Sequence, residues 1–430
     1  MTPKTAHRAT LAHFIADPAV CGERACAYYE DGLLVVGTRG EVIEAGAAKA
    51  LLPKYAAVPV VRHKDAILLP GFVDTHIHFP QVDVIASYGA DLLDWLTKYT
   101  FPAEAAFARP DIAEKAAKFF IKQLIANGTT SALVFATSHK HSADALFAEA
   151  RKRKMRLAAG KVLMNRNAPA TLLDTISKGK QDTRQLIRKW HNNGRLHYAI
   201  TPRFAPTSTP AQLKAAGALL QEFPDVLLHT HLSENRRELQ WVRSLFPDAA
   251  DYLAVYEKHG LVCDRSIFAH GIHLSGGEWR RLARAGSALA HCPLSNMFLG
   301  SGLFDIAKAR RHKIRTGLGT DVGGGNSFSM FRVMEEAYKT ARLRGSDFPP
   351  LSMWHAATLG GAQALRMDSH IGNFTPGKDA DFITIDLSSP PLLSRRWHQT
   401  QTPPEKLFTL TMLATPPQIK ATYIMGKKQQ

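Results

Sequence analysis

At 430 residues the chain has room for one large barrel and a small appended domain, and its 45% apolar content is ordinary for a globular protein. There is no run of about 18 apolar residues and no apolar signal core at the N-terminus, and Cys21, Cys26, Cys263 and Cys292 follow no disulfide or zinc-ribbon spacing. A membrane span and a disulfide scaffold are thereby excluded, and a cytoplasmic protein with reduced thiols is expected. The net charge of +17 is dispersed and lacks an aromatic-interleaved basic stripe, so it reads as solvated surface rather than as a nucleic-acid site.

The first 65 residues hold short β-rich pieces, at 32–37 and 58–62, split by turn residues. From residue 66 to about 345, strand-like and helix-like segments alternate. The apolar run at 66–75 ends in His76-Ile77-His78. A helix over 111–126 follows from the spacing of Ile112, Ala116, Phe119, Phe120 and Leu124, and Asn127-Gly128 stops it. A strand at 131–136, a helix at 143–155, a strand at 157–164, a helix at 183–191, a strand at 196–201 and a helix at 211–223 come next. The cluster Arg151-Lys152-Arg153-Lys154-Met155-Arg156 closes the second of these helices, where cations suit the negative end of the dipole. Three more apolar runs end in chemistry-bearing residues: 226–231 in His231, 266–270 in His270 and 314–321 in Asp321. Repeated βα units imply parallel strands, and about 30 or more residues per unit imply an α/β fold of (β/α)8 type. His76 and His231 are 155 residues apart, His231 and His270 are 39, and His270 and Asp321 are 51. These intervals place the four at the C-terminal ends of strands one, five, six and eight, the rim where barrel enzymes hold their chemistry. The C-terminal stretches 381–386 and 421–425 resemble the β-rich start of the chain. Residues 1–65 and 371–430 are therefore expected to pair into one small β-sandwich beside a barrel of residues 66–370. Segment 388–407, rich in Pro, Ser and Gln, reads as an irregular loop.

Residues i and i+2 of a strand share a face, so His76 and His78 can grip one ion. Three imidazoles and one carboxylate suit zinc, with iron as the alternative, before calcium or magnesium. An open coordination position would hold a water of lowered pKa, and such a site hydrolyses something. Glu234, three residues past His231, is the leading proton carrier. Its bland alternative is to cap the helix that follows. Asp321 is a ligand, a base, or both, and otherwise a turn residue. His270 either orients the nucleophile or binds the metal. His229 lies on the face of His231, so a ligand role is geometrically open, but it is read as a bystander. His273 and His291 are read as supporting or core residues, Cys292 as a small buried one, and His7, His13, His141, His191 and His312 as unconnected.

Together these motifs resemble the amidohydrolase superfamily. Pro70-Gly71-Phe72-Val73-Asp74-Thr75-His76-Ile77-His78-Phe79-Pro80-Gln81 is similar to the metal-binding opening of its guanine deaminases. So is Leu93-Asp94-Trp95-Leu96-Thr97-Lys98-Tyr99-Thr100-Phe101-Pro102-Ala103-Glu104, and Thr201-Pro202-Arg203-Phe204, residues 231–235 and residues 317–325 follow in that family's order. The resemblance implies one zinc per chain on His76, His78, His231 and Asp321. It implies a guanine pocket of Gln81, Arg203, Phe204 and Glu234, bordered by His78, His231 and Asp321, and a homodimer. Gln81 offers both donor and acceptor to a base edge, and Arg203 offers fixed donors to a carbonyl such as O6. Binuclear relatives carry a modified lysine at the end of strand four. Here Arg203 stands there, which favours a single metal. The implied reaction is attack of metal-activated water on C2, with Glu234 protonating N3, Asp321 and His270 taking up the water's proton, and ammonia leaving xanthine behind. The competing substrates on such a scaffold are cytosine, an adenosine-derived nucleoside or a triazine. Segment 83–104 is expected over the barrel mouth, with Tyr88, Trp95 and Tyr99 either walling the pocket or packing on the barrel.

Overall fold

The computed structural model describes residues 1–89 and 91–429. Four strands open the chain: β1 (Pro3–Phe14), β2 (Cys26–Gly37), β3 (Val42–Ala47) and β4 (Val60–Pro70). Side chains alternate across them, so that Ala6, Leu33 and Val35 join one apolar cluster while Leu11, Leu34, Val36 and Leu68 join another on the opposite face. At Gly71 the chain passes from this sheet into the barrel. A Cβ there would lie 2.2 Å from Thr130 Oγ1, so only glycine lets the two layers approach.

The barrel strands are β5 (Phe72–His78), β6 (Thr129–Phe135), β7 (Arg156–Gly160), β9 (Leu196–Pro202), β10 (Leu227–Leu232), β11 (Ser266–His270), β12 (Ala288–His291) and β13 (Thr316–Leu318), with the two-residue β8 (Val162–Leu163) paired to β9. Neighbours are parallel throughout. The circle closes just past β13, where Asp321 N–H donates to His76 O at 2.9 Å and His78 N–H donates to Val322 O at 2.8 Å. Inside, Val73, Leu133, Ala158, Ala199, Leu227, Ile267 and Ala288 form the lower layers, sealed from below by Leu365, Met367 and Ile371. The larger core lies between the strands and the outer helices.

β14 (Phe382–Asp386), β15 (Ile419–Ile424) and β16 (Lys427–Lys428) return to the first sheet. They make one seven-stranded path in the order β16-β15-β14-β4-β1-β2-β3. The two chain ends thus do share a sheet.

Four local expectations change. Segment 388–407 is not an irregular loop: helices Pro391–Gln399 and Pro403–Leu413 occupy most of it. Pro391 and Pro403 sit at first helical positions, where no N–H is needed, and Thr402 and Glu405 form a capping box. Leu393, Trp397, Leu407 and Leu410 supply the buried face. Phe119 is half exposed, on the outer side of helix Pro110–Ala126. The helix near 143–155 runs Lys140–Lys152, so only Arg151 and Lys152 of the basic cluster close it. Arg156 instead enters β7, buried against Asp379.

Candidate active site

The candidate side chains reach the rim through four backbone irregularities. Val73 faces the barrel interior, and strict alternation would turn His76 and His78 away from it. A one-residue bulge between Asp74 and Ile77, read from the register against β6, resets the parity and points both histidines inward. On β11 Ile267 faces inward, so His270 should face out. Instead His270 adopts φ 71°, a left-handed conformation that swings its ring over the mouth. Ser233 and Asp321 also have positive φ, at 50° and 48°, where β10 and β13 end. Such backbone clusters at functional sites because the surrounding fold must hold it in place.

Four candidate ligand atoms converge. His76 Nε2 and His78 Nε2 are 3.2 Å apart, His78 Nε2 and His231 Nε2 are 3.3 Å apart, and Asp321 Oδ1 lies 3.1 Å from His76 Nε2 and 3.3 Å from His78 Nε2. Nitrogen and oxygen ligands about 2.0–2.1 Å from a tetrahedral ion stand about 3.3–3.4 Å from one another. The outer ring nitrogens fix which atoms face the centre. His231 Nδ1–H donates to Arg203 O at 2.7 Å, which leaves the Nε2 lone pair inward. His76 Nδ1 lies 2.7 Å from His229 Nε2, and with its proton there its own Nε2 lone pair also faces inward. Burial pushes the imidazoles of His76 and His231 down from their ordinary value, and that of His78 to about 3. They are therefore neutral at pH 7, as ligation requires. Burial opposes ionisation of Asp321, and positive charge at the cluster, from protonated His76 and His78 or from a bound cation, holds its carboxyl well below the usual range. Two imidazole lone pairs beside a carboxylate repel one another unless a cation sits among them. The residues present fit a single divalent ion. His270 belongs to a looser group with His76, His231 and Asp321, whose ligating atoms lie within 4.8 Å, but His78 makes the tighter set.

Glu234 stands next to this cluster. The helix Arg236–Leu245 that follows it is capped by Asn235 and Glu238, and Glu238 also accepts the Glu234 N–H. The Glu234 side chain is thereby free of the capping task. Its Oε2 lies 3.3 Å from His270 Nε2, and Oε1 accepts from Ser301 Oγ at 3.2 Å. Burial, and then the nearby charges of Asp321 and Glu238, push the Glu234 carboxyl well above its ordinary value, which favours its protonated form. A dication in the cluster would draw it back toward ionisation. His270 Nδ1 lies 2.9 Å from Asn296 Oδ1, and Nε2 lies 3.7 Å from Asp321 Oδ2, the oxygen turned away from His76 and His78.

Gln81, Arg203 and Phe204 line the same cavity as His78, His231 and Asp321 of the cluster. Leu92, Trp95, Leu96 and Leu299 complete the walls. Of the three aromatic residues in the covering segment, Trp95 walls the cavity, Tyr99 packs on the apolar cluster beside it, and Tyr88 is 81% exposed. The cluster, Glu234 and the polar side chains thus line one cavity.

The chain belongs to the amidohydrolase family. That family matches residues 67–428. The chain is 46% identical to guanine deaminase of Escherichia coli strain K12 over 403 residues, 93% of this chain and 91% of that protein. A solved structure of E. coli guanine deaminase superposes with a TM-score of 0.96 at 43% identity, covering 99% of both chains. A guanine deaminase from C. acetobutylicum, solved with guanine in its active site, superposes with a TM-score of 0.90 at 28% identity, over 99% of this chain and all of that one.

Within this amidohydrolase site, sequence reasoning gave no role to four groups. His229 touches the outer nitrogen of His76 and aims no atom at the centre. Phe135 packs beneath His76, His78, His229 and His231, with ring centres 4.4–5.3 Å away. Asn296 orients His270. Glu104 pairs with Arg203, and its only sequence signal was a carboxylate closing an apolar word. His291 stacks on Phe304, and His273 Nε2 lies 2.8 Å from Ser301 O, so neither enters the cluster. Cys292 is buried in the barrel interior.

Proposed function

We propose that this protein hydrolyses guanine to xanthine and ammonia, using one zinc ion held by His76, His78, His231 and Asp321. The observation that carries the reading is the shared cavity, lined by a His-Asp cluster and a buried carboxyl together with a guanidinium, an amide and an aromatic ring. The likeness to guanine deaminases supports it. Zinc is favoured over iron because hydrolysis needs no redox change and because ligand-atom separations of 3.1–3.3 Å suit a small four-coordinate ion. Bound there, zinc would lower the pKa of a water to about 7 and so supply a nucleophile at neutral pH.

Arg203 and Gln81 hold the polar edge of the base, with Arg203 donating to O6, and Phe204 covers the ring. Trp95 and Leu96 keep bulk water from the face under attack. Water oxygen bonds to C2, and its proton passes to Asp321 Oδ2, within reach of His270. Glu234 delivers its proton to N3, so no negative charge builds on the ring. The C2–N bond then breaks: the amine leaves with the bonding electrons and takes the proton held by Asp321 as ammonia, while the hydroxyl on C2 gives its proton to Glu234, restoring the acid, and closes to a carbonyl. Each positioned proton transfer contributes about 10²–10⁴-fold.

The test is ammonia release from zinc-loaded protein given guanine, with cytosine and adenine alongside. Release from guanine alone, with xanthine as product, is expected. Release only from another ring system, by a protein holding one zinc per chain, would overturn the substrate and keep the metal site.

A further inference from the structure

We infer that Glu104 is a positioning residue for the base-reading wall: it fixes the guanidinium of Arg203 and the amide of Gln81, and through them selects a neutral purine bearing an oxo group at C6. The inference deepens the guanine reading and rests on it. Glu104 is fully buried and does not line the cavity, so it acts through other groups. It lies on the short helix Phe101–Ala106, in the segment that covers the barrel mouth, whereas the cluster and its proton carriers come from the rim. A carboxylate at zero exposure persists only when it is paired and hydrogen-bonded. Its partners here are the two polar base-reading side chains. Glu104 Oε1 accepts from Gln81 Nε2 at 3.0 Å and from Arg203 Nη1 at 2.8 Å, and Oε2 accepts from the same Nη1 at 2.9 Å.

Three consequences follow from that geometry. Glu104 neutralises Arg203, so the wall offers hydrogen-bond donors without net charge, which suits a carbonyl oxygen and not a phosphate or carboxylate. Both contacts use Nη1, which leaves the rest of the guanidinium fork for the cavity. The amide of Gln81 cannot turn over, because Nε2 donates to Glu104 while Oε1 accepts from Gly323 N–H at 3.2 Å. Turning it would set oxygen against carboxylate and N–H against N–H. Phe101, on the same helix as Glu104, lies under the Arg203 guanidinium, with Cζ 5.5 Å from its ring centre. One turn of the covering segment therefore holds Arg203 by charge and by its flat face.

The experiment compares wild type with Glu104→Gln, at equal zinc content, on two bases. Guanine carries the C6 oxo group, and 2-aminopurine keeps the C2 amine but lacks it. In Glu104→Gln, kcat/KM for guanine should fall about 10- to 100-fold, mostly through KM, as expected for losing a charge-assisted partner. Binding of 2-aminopurine, followed by its own fluorescence, should change less than about threefold. Equal losses on both bases, or none on guanine, would overturn the proposal. Should Glu104→Gln not fold, Glu104→Asp keeps the charge one methylene further back and should weaken guanine alone, to a lesser degree. If the wild type does not turn over guanine, the functional reading fails by itself. Positioning is then judged from a crystal structure of the variant: displaced Arg203 and Gln81 side chains support it, and unmoved ones overturn it.

Discussion

Two clusters of buried charge lie at opposite ends of the same barrel, and they are built on opposite plans. At the N-terminal ends of the strands, Arg156 and Arg195 both reach Asp379, at 2.7 and 2.9 Å, and Arg195 also pairs with Asp381. Asp381 Oδ1 accepts the Met425 N–H as well. Each charge there meets an opposite charge, and the pairs join the barrel to the strands of the chain ends. At the C-terminal ends, three imidazole nitrogens and a carboxylate oxygen point at one another around a common centre, and Glu234, His270 and Asp321 crowd together. Charges that satisfy one another hold parts of a fold in place. Charges that converge on a cavity are held by the fold for chemistry. The difference teaches that burial alone does not mark a functional carboxylate, and that what it faces does.

The sharpest way to break this comparison is to remove the ion. Chelation should abolish turnover, and zinc should restore it. A metal bound at about a thousandfold over its Kd adds about 4 kcal/mol of folding stability, so the chelated protein should also melt earlier. Melting that does not move, with activity intact, would sink the metal site. Next, Glu234→Gln should lower kcat by about 10²–10⁴-fold while zinc content and melting temperature hold. Near wild-type turnover with zinc confirmed would remove Glu234 from the chemistry.

Arg195→Met should do the reverse. It strands the buried Asp381 without a cation and should cost about 3 kcal/mol of stability in a denaturant titration. Turnover per folded molecule should not change. A loss of kcat at full folding would blur the line between the two clusters.

The smallest effect is on pH. Burial pushes His7 down to about 3 and His13 to about 4, both in β1 and away from the rim. The unfolded imidazoles titrate near 6.5. Between that value and the folded one the unfolded chain binds more protons, so stability falls as the pH drops through this window and is unaffected above it. From pH 7 to pH 5 a group like His7 should contribute a loss of about 2 kcal/mol. His7→Phe should flatten part of that slope in unfolding measurements made at both pH values.

Much of this molecule was legible in the chain. Apolar runs ending in His76, His231, His270 and Asp321 gave the strand ends, and their intervals gave the strand numbers, because a parallel barrel repeats one local unit. The prolines at 390–391 and 403–404 misled because Pro, read as a breaker, also starts helices. Phe119 misled because helical period says which residues share a stripe, and Ala113, Ala116 and Phe120 define the stripe that packs.

The residue types at the strand ends, their order and the apolar words around them were set by the sequence alone, since each is local. The tertiary structure decided which atoms meet. The bulge between Asp74 and Ile77 and the left-handed turn at His270 reverse the face that alternation assigns, and no period in the chain announces them. The pairing of Glu104 with Arg203 joins residues 99 positions apart. It exists only because the covering segment folds back over the barrel mouth, where a buried carboxylate and a buried guanidinium each need the other.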